Sequence, residues 1–75
     1  MLASYMYPSD FVVLQVIQQN DGKQMTYNEI VAKAQNIVSY PTVVRAIDRL
    51  EADNHIRVTR NHGSPRGNEY HVVIK

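Results

Sequence analysis

The chain contains no cysteine, so neither a disulfide nor a thiolate metal site can form, a composition suited to a reducing cytosol. Its three histidines, His55, His62 and His71, have no cysteine partner and do not take metal-site spacing, so no metal and no cofactor is expected. Long apolar runs, a basic leader and a signal-peptide core are also missing. Secretion and membrane spanning are therefore not expected, and a cytoplasmic location is. Neither a Gly-rich phosphate loop nor a strand-to-helix nucleophile elbow occurs. At 75 residues there is room for one core and no deep cleft. An enzyme is not expected, and neither is a small-molecule ligand. Charge of one sign is scarce overall, since the net is only +1. The total therefore argues for no partner, and the distribution must do so instead.

That distribution is uneven. Between His55 and Asn68 lie Arg57, Arg60 and Arg66 and no acidic residue, whereas the first half of the chain is slightly acidic. An apolar fraction of 44% is that of a globular domain.

Residues 1–8 form a short N-terminal arm containing Leu2, Tyr5, Met6 and Tyr7, and residues 9–75 form the domain. Ser9 has the chemistry of an N-cap for a first helix over about 10–20, with Asp10 favourable in its first turn and Gly22 beyond its end. Phe11, Val12, Val13, Leu14, Val16 and Ile17 make this helix apolar over more than the roughly 100° stripe that one core requires. Two accounts are open: a helix between two layers of its own fold, or a self-association surface aided by Tyr5 and Tyr7.

Residues 23–25 read as a brief extended link, with room for a short third strand near Met25. Thr26-Tyr27-Asn28-Glu29 has the spacing of a capping box, which opens a second helix whose apolar positions, Tyr27, Ile30, Val31, Ala34 and Val38, fall at helical spacing. Asn36 is the expected left-handed residue at its end. Ser39 then caps a third helix over 39–53 whose inward face is Val43, Ala46, Ile47 and Leu50. Its outward face carries Arg45, Asp48 and Arg49, with Val44 on the flank, a surface suited to presentation to a partner. Asn54 ends this helix. Beyond it the period changes to two: Ile56 and Val58 alternate with Arg57 and Thr59, and later Tyr70, Val72 and Ile74 with His71, Val73 and Lys75, as in an antiparallel hairpin. The connecting loop is rich in Gly, Pro, Asn and Ser, and longer than a tight hairpin needs.

This order of elements resembles the winged helix-turn-helix family of DNA-binding domains, over residues 9–74. The residues that carry the resemblance are Thr26-Tyr27-Asn28-Glu29-Ile30, the run from Thr42 to Leu50, Asn54-His55-Ile56, and Glu69-Tyr70-His71-Val72. Asn36 and Asn54 stand where the family usually has Gly, and Asn is the commonest substitute in that conformation. The resemblance implies an α+β winged helix-turn-helix fold, three helices followed by a two-stranded antiparallel wing. It further implies sequence-specific binding of double-stranded DNA by a transcriptional regulator, with helix 39–53 in the major groove and wing 60–68 on backbone or minor groove.

On that reading Arg45 contacts a base, most simply guanine, and Val44 packs on a thymine methyl. Ser39, Tyr40 and Thr42 form the first turn presented to the DNA. Arg60, His62, Ser64 and Arg66 are the wing contacts, and Thr26 and Tyr27 add a phosphate contact through free amides. Each has an ordinary alternative: an ion pair of Arg45 with Asp48, a phosphate contact or a pair with Asp53 for Arg49, and edge protection for Arg57 and Arg60. A homodimer through the first helix and the arm is expected, because one small module offers few contacts. The competing readings are a protein–protein interaction module and a DNA-binding part of a replication, partition or recombination complex.

Overall fold

The computed structural model describes residues 6–61 and 63–73, so Leu2, Tyr5, His62 and Ile74 lie outside the described residues. Its elements are α1 (Pro8–Gln19), β1 (Gln24–Met25), α2 (Tyr27–Lys33), α3 (Tyr40–Ala52), β2 (Ile56–Thr59) and β3 (Asn68–Val72). The strands form one antiparallel sheet in the order β1-β3-β2. The short third strand near Met25 is present, and it pairs Gln24 with Glu69 and Met25 with Asn68.

Helix α1 starts two residues earlier than Ser9 as its cap would allow. Tyr7 is the N-cap and Pro8 occupies the first helical position, where a missing N–H costs nothing. The Tyr7 carbonyl accepts the first helical hydrogen bond, from Phe11 at 3.1 Å. Ser9 is therefore inside the first turn and not its cap.

Helix α2 opens with the capping box that its sequence contains. Thr26 Oγ1 accepts from the Glu29 amide at 3.0 Å, and the Thr26 amide donates to Glu29 Oε1 at 2.9 Å. Its end differs in one detail. The Asn36 amide reaches back to the Val31 carbonyl and the Gln35 amide to that of Ala32, the paired bonds of a Schellman motif. The residue that terminates the helix in the left-handed region is thus Gln35 (φ 56°), and Asn36 (φ 59°) follows in the same region. Helix α3 ends in the same motif with Asn54 at the left-handed position, through His55 to Leu50 and Asn54 to Glu51.

The core is the set of faces these elements turn inward: Val13, Val16 and Ile17 of α1, Ile30 of α2, and Val43, Ala46, Ile47 and Leu50 of α3. Met25, Ile56 and Tyr70 close it from the sheet. Burying each large apolar side chain contributes roughly 1.5–3 kcal/mol. The wide apolar arc of α1 follows from its position, since it packs against α2, α3 and β3 together. Val12 and Leu14 are half-buried against the core, and only Phe11 of the arc is left 53% exposed. In the hairpin, Ile56 faces Val72 and Val58 faces Tyr70, the alternation expected of it. Among the described residues no helix is long and apolar enough to cross a membrane.

Candidate nucleic-acid interface

Helix α3 presents a strip of residues away from the core. Wound at 3.6 residues per turn, Pro41, Arg45, Asp48 and Ala52 run down its middle, and all are exposed. Arg45 forms no ion pair among the described residues, so the i,i+3 pair with Asp48 is not made. Val44 is half-buried on one flank. At the start of the helix, Ser39 Oγ accepts from the Thr42 amide at 3.4 Å and lies 2.9 Å from Thr42 Oγ1. Both hydroxyls are therefore engaged in capping.

The two flanks of α3 are held by guanidinium–carboxylate pairs. On the α1 side, Arg49 Nε donates to Asp10 Oδ2 at 2.8 Å and Nη2 to Oδ1 at 2.7 Å. Asp10 is only 3% exposed, so its charge needs this partner. The hydrogen bond to Asp10 raises the Arg49 pKa above its usual value. The Tyr7 ring stacks on the same guanidinium, 4.6 Å from ring centroid to Cζ. The ion-pair partner of Arg49 is thus Asp10, not Asp53, because α1 brings a buried carboxylate to a residue that winds toward it.

On the other flank, Arg60 Nη1 donates to Glu51 Oε2 at 2.9 Å and Nη2 to Oε1 at 2.8 Å. This hydrogen bonding raises the Arg60 pKa and lowers that of Glu51. Arg60, expected at the wing surface, is therefore joined to α3. Arg57 and Arg66 are exposed and unpaired among the described residues.

The start of α2, the start of α3 and the root of the wing meet around an open cleft of about 230 Å³. Thr26, Tyr27, Tyr40 and Ser64, four of the residues singled out in the sequence, line it together. Tyr27 and Tyr40 meet edge to face, with centroids 5.5 Å apart. The Thr26 and Glu29 amides are consumed by the capping box, so an anion at α2 would meet the Tyr27 and Asn28 amides.

Sequence reasoning missed four other residues at the cleft. Asn61 and Asn68 clamp the wing root, through the Asn61 amide to Asn68 Oδ1 at 3.2 Å and Asn61 Nδ2 to the Gly67 carbonyl at 3.5 Å. Gly67 (φ 84°) packs so closely on Met25 and Thr26 that a Cβ there would overlap the Met25 carbonyl. Tyr70 is fully buried, its hydroxyl has no hydrogen-bond partner among the described residues, and burial pushes its pKa up to about 12. His62 lies outside the described residues, and Ser64 Oγ accepts from the Arg66 amide at 3.2 Å.

No protein-family profile and no curated protein matches the chain. Solved structures do match it. The ferric uptake regulator of Helicobacter pylori superposes with a TM-score of 0.73 at 23% identity, covering 95% of this chain and 47% of that one. The BpsR protein of Bordetella bronchiseptica, whose DNA binding is regulated by 6-hydroxynicotinic acid, gives a TM-score of 0.73 at 19% identity, over 97% of this chain and 52% of that one. A MarR-family transcription regulator gives 0.71 at 13% identity, over 91% and 42%. The chain spans about half the length of these proteins or less. At such identities the likeness bears on architecture, and it establishes the winged helix-turn-helix fold.

Proposed function

We propose that this chain binds double-stranded DNA in a sequence-specific manner and regulates transcription, with α3 in the major groove and the wing on backbone or minor groove. One observation carries the reading: the beginnings of α2 and α3 and the wing root converge on one face, with Arg45 and Arg66 exposed and unpaired among the described residues. A major groove admits one helix, and the N-terminal half of that helix reaches base edges. Arg45 then reads a base, with Val44 beside it. Tyr27, Tyr40 and Ser64 hold the phosphates at the cleft, Arg66 holds one on the wing, and Thr26, Ser39 and Thr42 shape the helix starts that face them. Neutral hydrogen-bond donors are ordinary phosphate ligands, so the cleft needs no cation of its own. That regulators of transcription share the fold supports the same reading.

Of the five arginines, Arg49 and Arg60 are taken up within the fold, which leaves Arg45, Arg57 and Arg66. Each phosphate neutralised contributes about −0.9 to the slope of log affinity against log salt. A slope of about −2 to −3 per protomer follows, and with it weak binding by a single copy. Pairing of two copies through Phe11 and the arm, where Tyr7 is 62% exposed, supplies the second half-site. A titration of mixed genomic DNA at low salt tests the proposal: salt-sensitive binding is expected, and none at all rejects it.

A second reading, a protein-binding module, draws on the groove between α1 and the α2–α3 turn. Val12, Gln15, Gln19 and Ile37 line it, and Ile37 is 69% exposed.

A further inference from the structure

We infer that Arg60 is a positioning residue, which through Glu51 holds the wing at a fixed distance from α3, and that it does not touch DNA itself. The inference rests on the DNA-binding reading. Arg60 immediately follows β2 and opens the wing, while Glu51 belongs to the last turn of α3. The two bonds between them are parallel and 2.8–2.9 Å long, so the planar guanidinium fixes direction as well as distance. Winding α3 places Glu51 on the same flank as Val44, the flank turned to the hairpin, with Asp48 on the side of the exposed strip nearer that flank. Asp48 also lies near enough to Arg60 to act on its charge. Both Nη atoms of the guanidinium are already directed at the Glu51 carboxylate, the geometry that a bidentate phosphate contact would need.

The neighbouring contacts locate what the pair holds. Asn61, the next residue, clamps Asn68 and Gly67, and the Gly67 backbone rests on Met25 and Thr26. Arg60 therefore anchors to the reading helix the strand end from which the whole wing root is hung. Arg49 and Asp10 hold the opposite flank of the same helix, so its roll is set from both sides.

Four forms of the protein test this: Glu51→Gln, Arg60→Gln, both together, and the exchange of Glu51→Arg with Arg60→Glu. The probe is a random-sequence DNA duplex, titrated over a range of salt. Each single variant is expected to weaken binding by about two- to fivefold, the range of an exposed pair at its favourable limit. The double variant should be no weaker than either single one, the salt slope should stay that of the parent, and the exchange should restore affinity. Removing a carboxylate from a purely electrostatic face would tighten binding, so tighter binding by Glu51→Gln overturns the inference. So does an Arg60→Gln slope shallower by about one phosphate that the exchange leaves uncorrected.

Backbone relaxation of wing residues 63–67 in the free protein gives a readout that needs no DNA. Faster motion in both single variants, reversed in the exchange, is expected, and an unchanged wing overturns the inference. If the parent binds no DNA, the functional reading fails, and the relaxation data alone decide the role of the pair in holding the wing.

Discussion

Replacing Gly67 by Ala should do far more damage than replacing Gly63, although both glycines are left-handed, at φ 84° and 80°. An Ala in that region costs about 1–2 kcal/mol, and its stiffer unfolded chain returns about 0.4–1 kcal/mol. Gly63→Ala meets nothing within 4 Å and carries only this balance, about 1 kcal/mol at mid-range. Gly67→Ala carries the same balance plus a collision: its Cβ would overlap the Met25 carbonyl oxygen and lie 2.7 Å from the Thr26 nitrogen. Those are backbone atoms, one in β1 and one at the N-cap of α2, so no side chain can swing aside. Relief requires the wing root to lift from β1, straining the Met25–Asn68 pairing and the Asn61–Gly67 bond. Overpacking costs about 1–3 kcal/mol where side chains can adjust, so a total near 3 kcal/mol is the expectation here. A domain of this size loses about 4–8 °C of Tm per kcal/mol. Thermal melts followed by circular dichroism should show a fall of about 12–24 °C for Gly67→Ala and under about 8 °C for Gly63→Ala. Equal shifts for the two variants would refute the packing argument and leave only backbone conformation.

Gln35→Gly should stabilise the protein by about 0.5–1 kcal/mol, because the left-handed position at the end of α2 strains any L side chain; Gln18→Gly, exposed within α1, should lose about 1 kcal/mol in the same melts. Arg49→Met strands the buried Asp10 carboxylate and should lower the urea midpoint without changing the slope of the transition. Adding Asp10→Asn should recover part of that loss, and no recovery would show that packing alone is at fault. Tyr70 binds its proton more tightly folded, at about 12, than unfolded, at about 10. Its contribution is therefore complete below pH 10 and lost between 10 and 12, about 1.4 kcal/mol by pH 11. Tyr70→Phe should lack this component of the alkaline loss, with neutral-pH stability unchanged or slightly higher, since the hydroxyl has no partner to lose.

What was legible in the sequence is what short separations decide. The capping box at Thr26 and Glu29, the Ser39 cap, the left-handed Asn54 and the alternation through Ile56, Val58 and Tyr70 each involve residues within a few positions, or a period. Helix ends were less secure: Pro8 outcompeted Ser9 for the start of α1, and Gln35 took a position where Asn36 looked the better candidate. The arginines show the deeper difficulty. Arg49 finds Asp10, 39 residues away, and Arg60 finds Glu51 across the turn between α3 and β2. Neither pairing exists until α1 and the hairpin pack on α3, so from the sequence both looked as available as Arg45. Gly67 is similar, because nothing in its local composition reveals that β1 lies against it.

Selection of bound sequences from a random DNA pool, run in parallel with the parent protein and with Arg45→Ala, tests the central proposal most directly. The parent should recover a motif with a guanine at one position of each half-site, and the variant should lose preference at that position alone, by about 1–3 kcal/mol. No enriched motif from the parent, or the same motif from both proteins, would contradict the assignment of α3 as the reading helix and Arg45 as its reader.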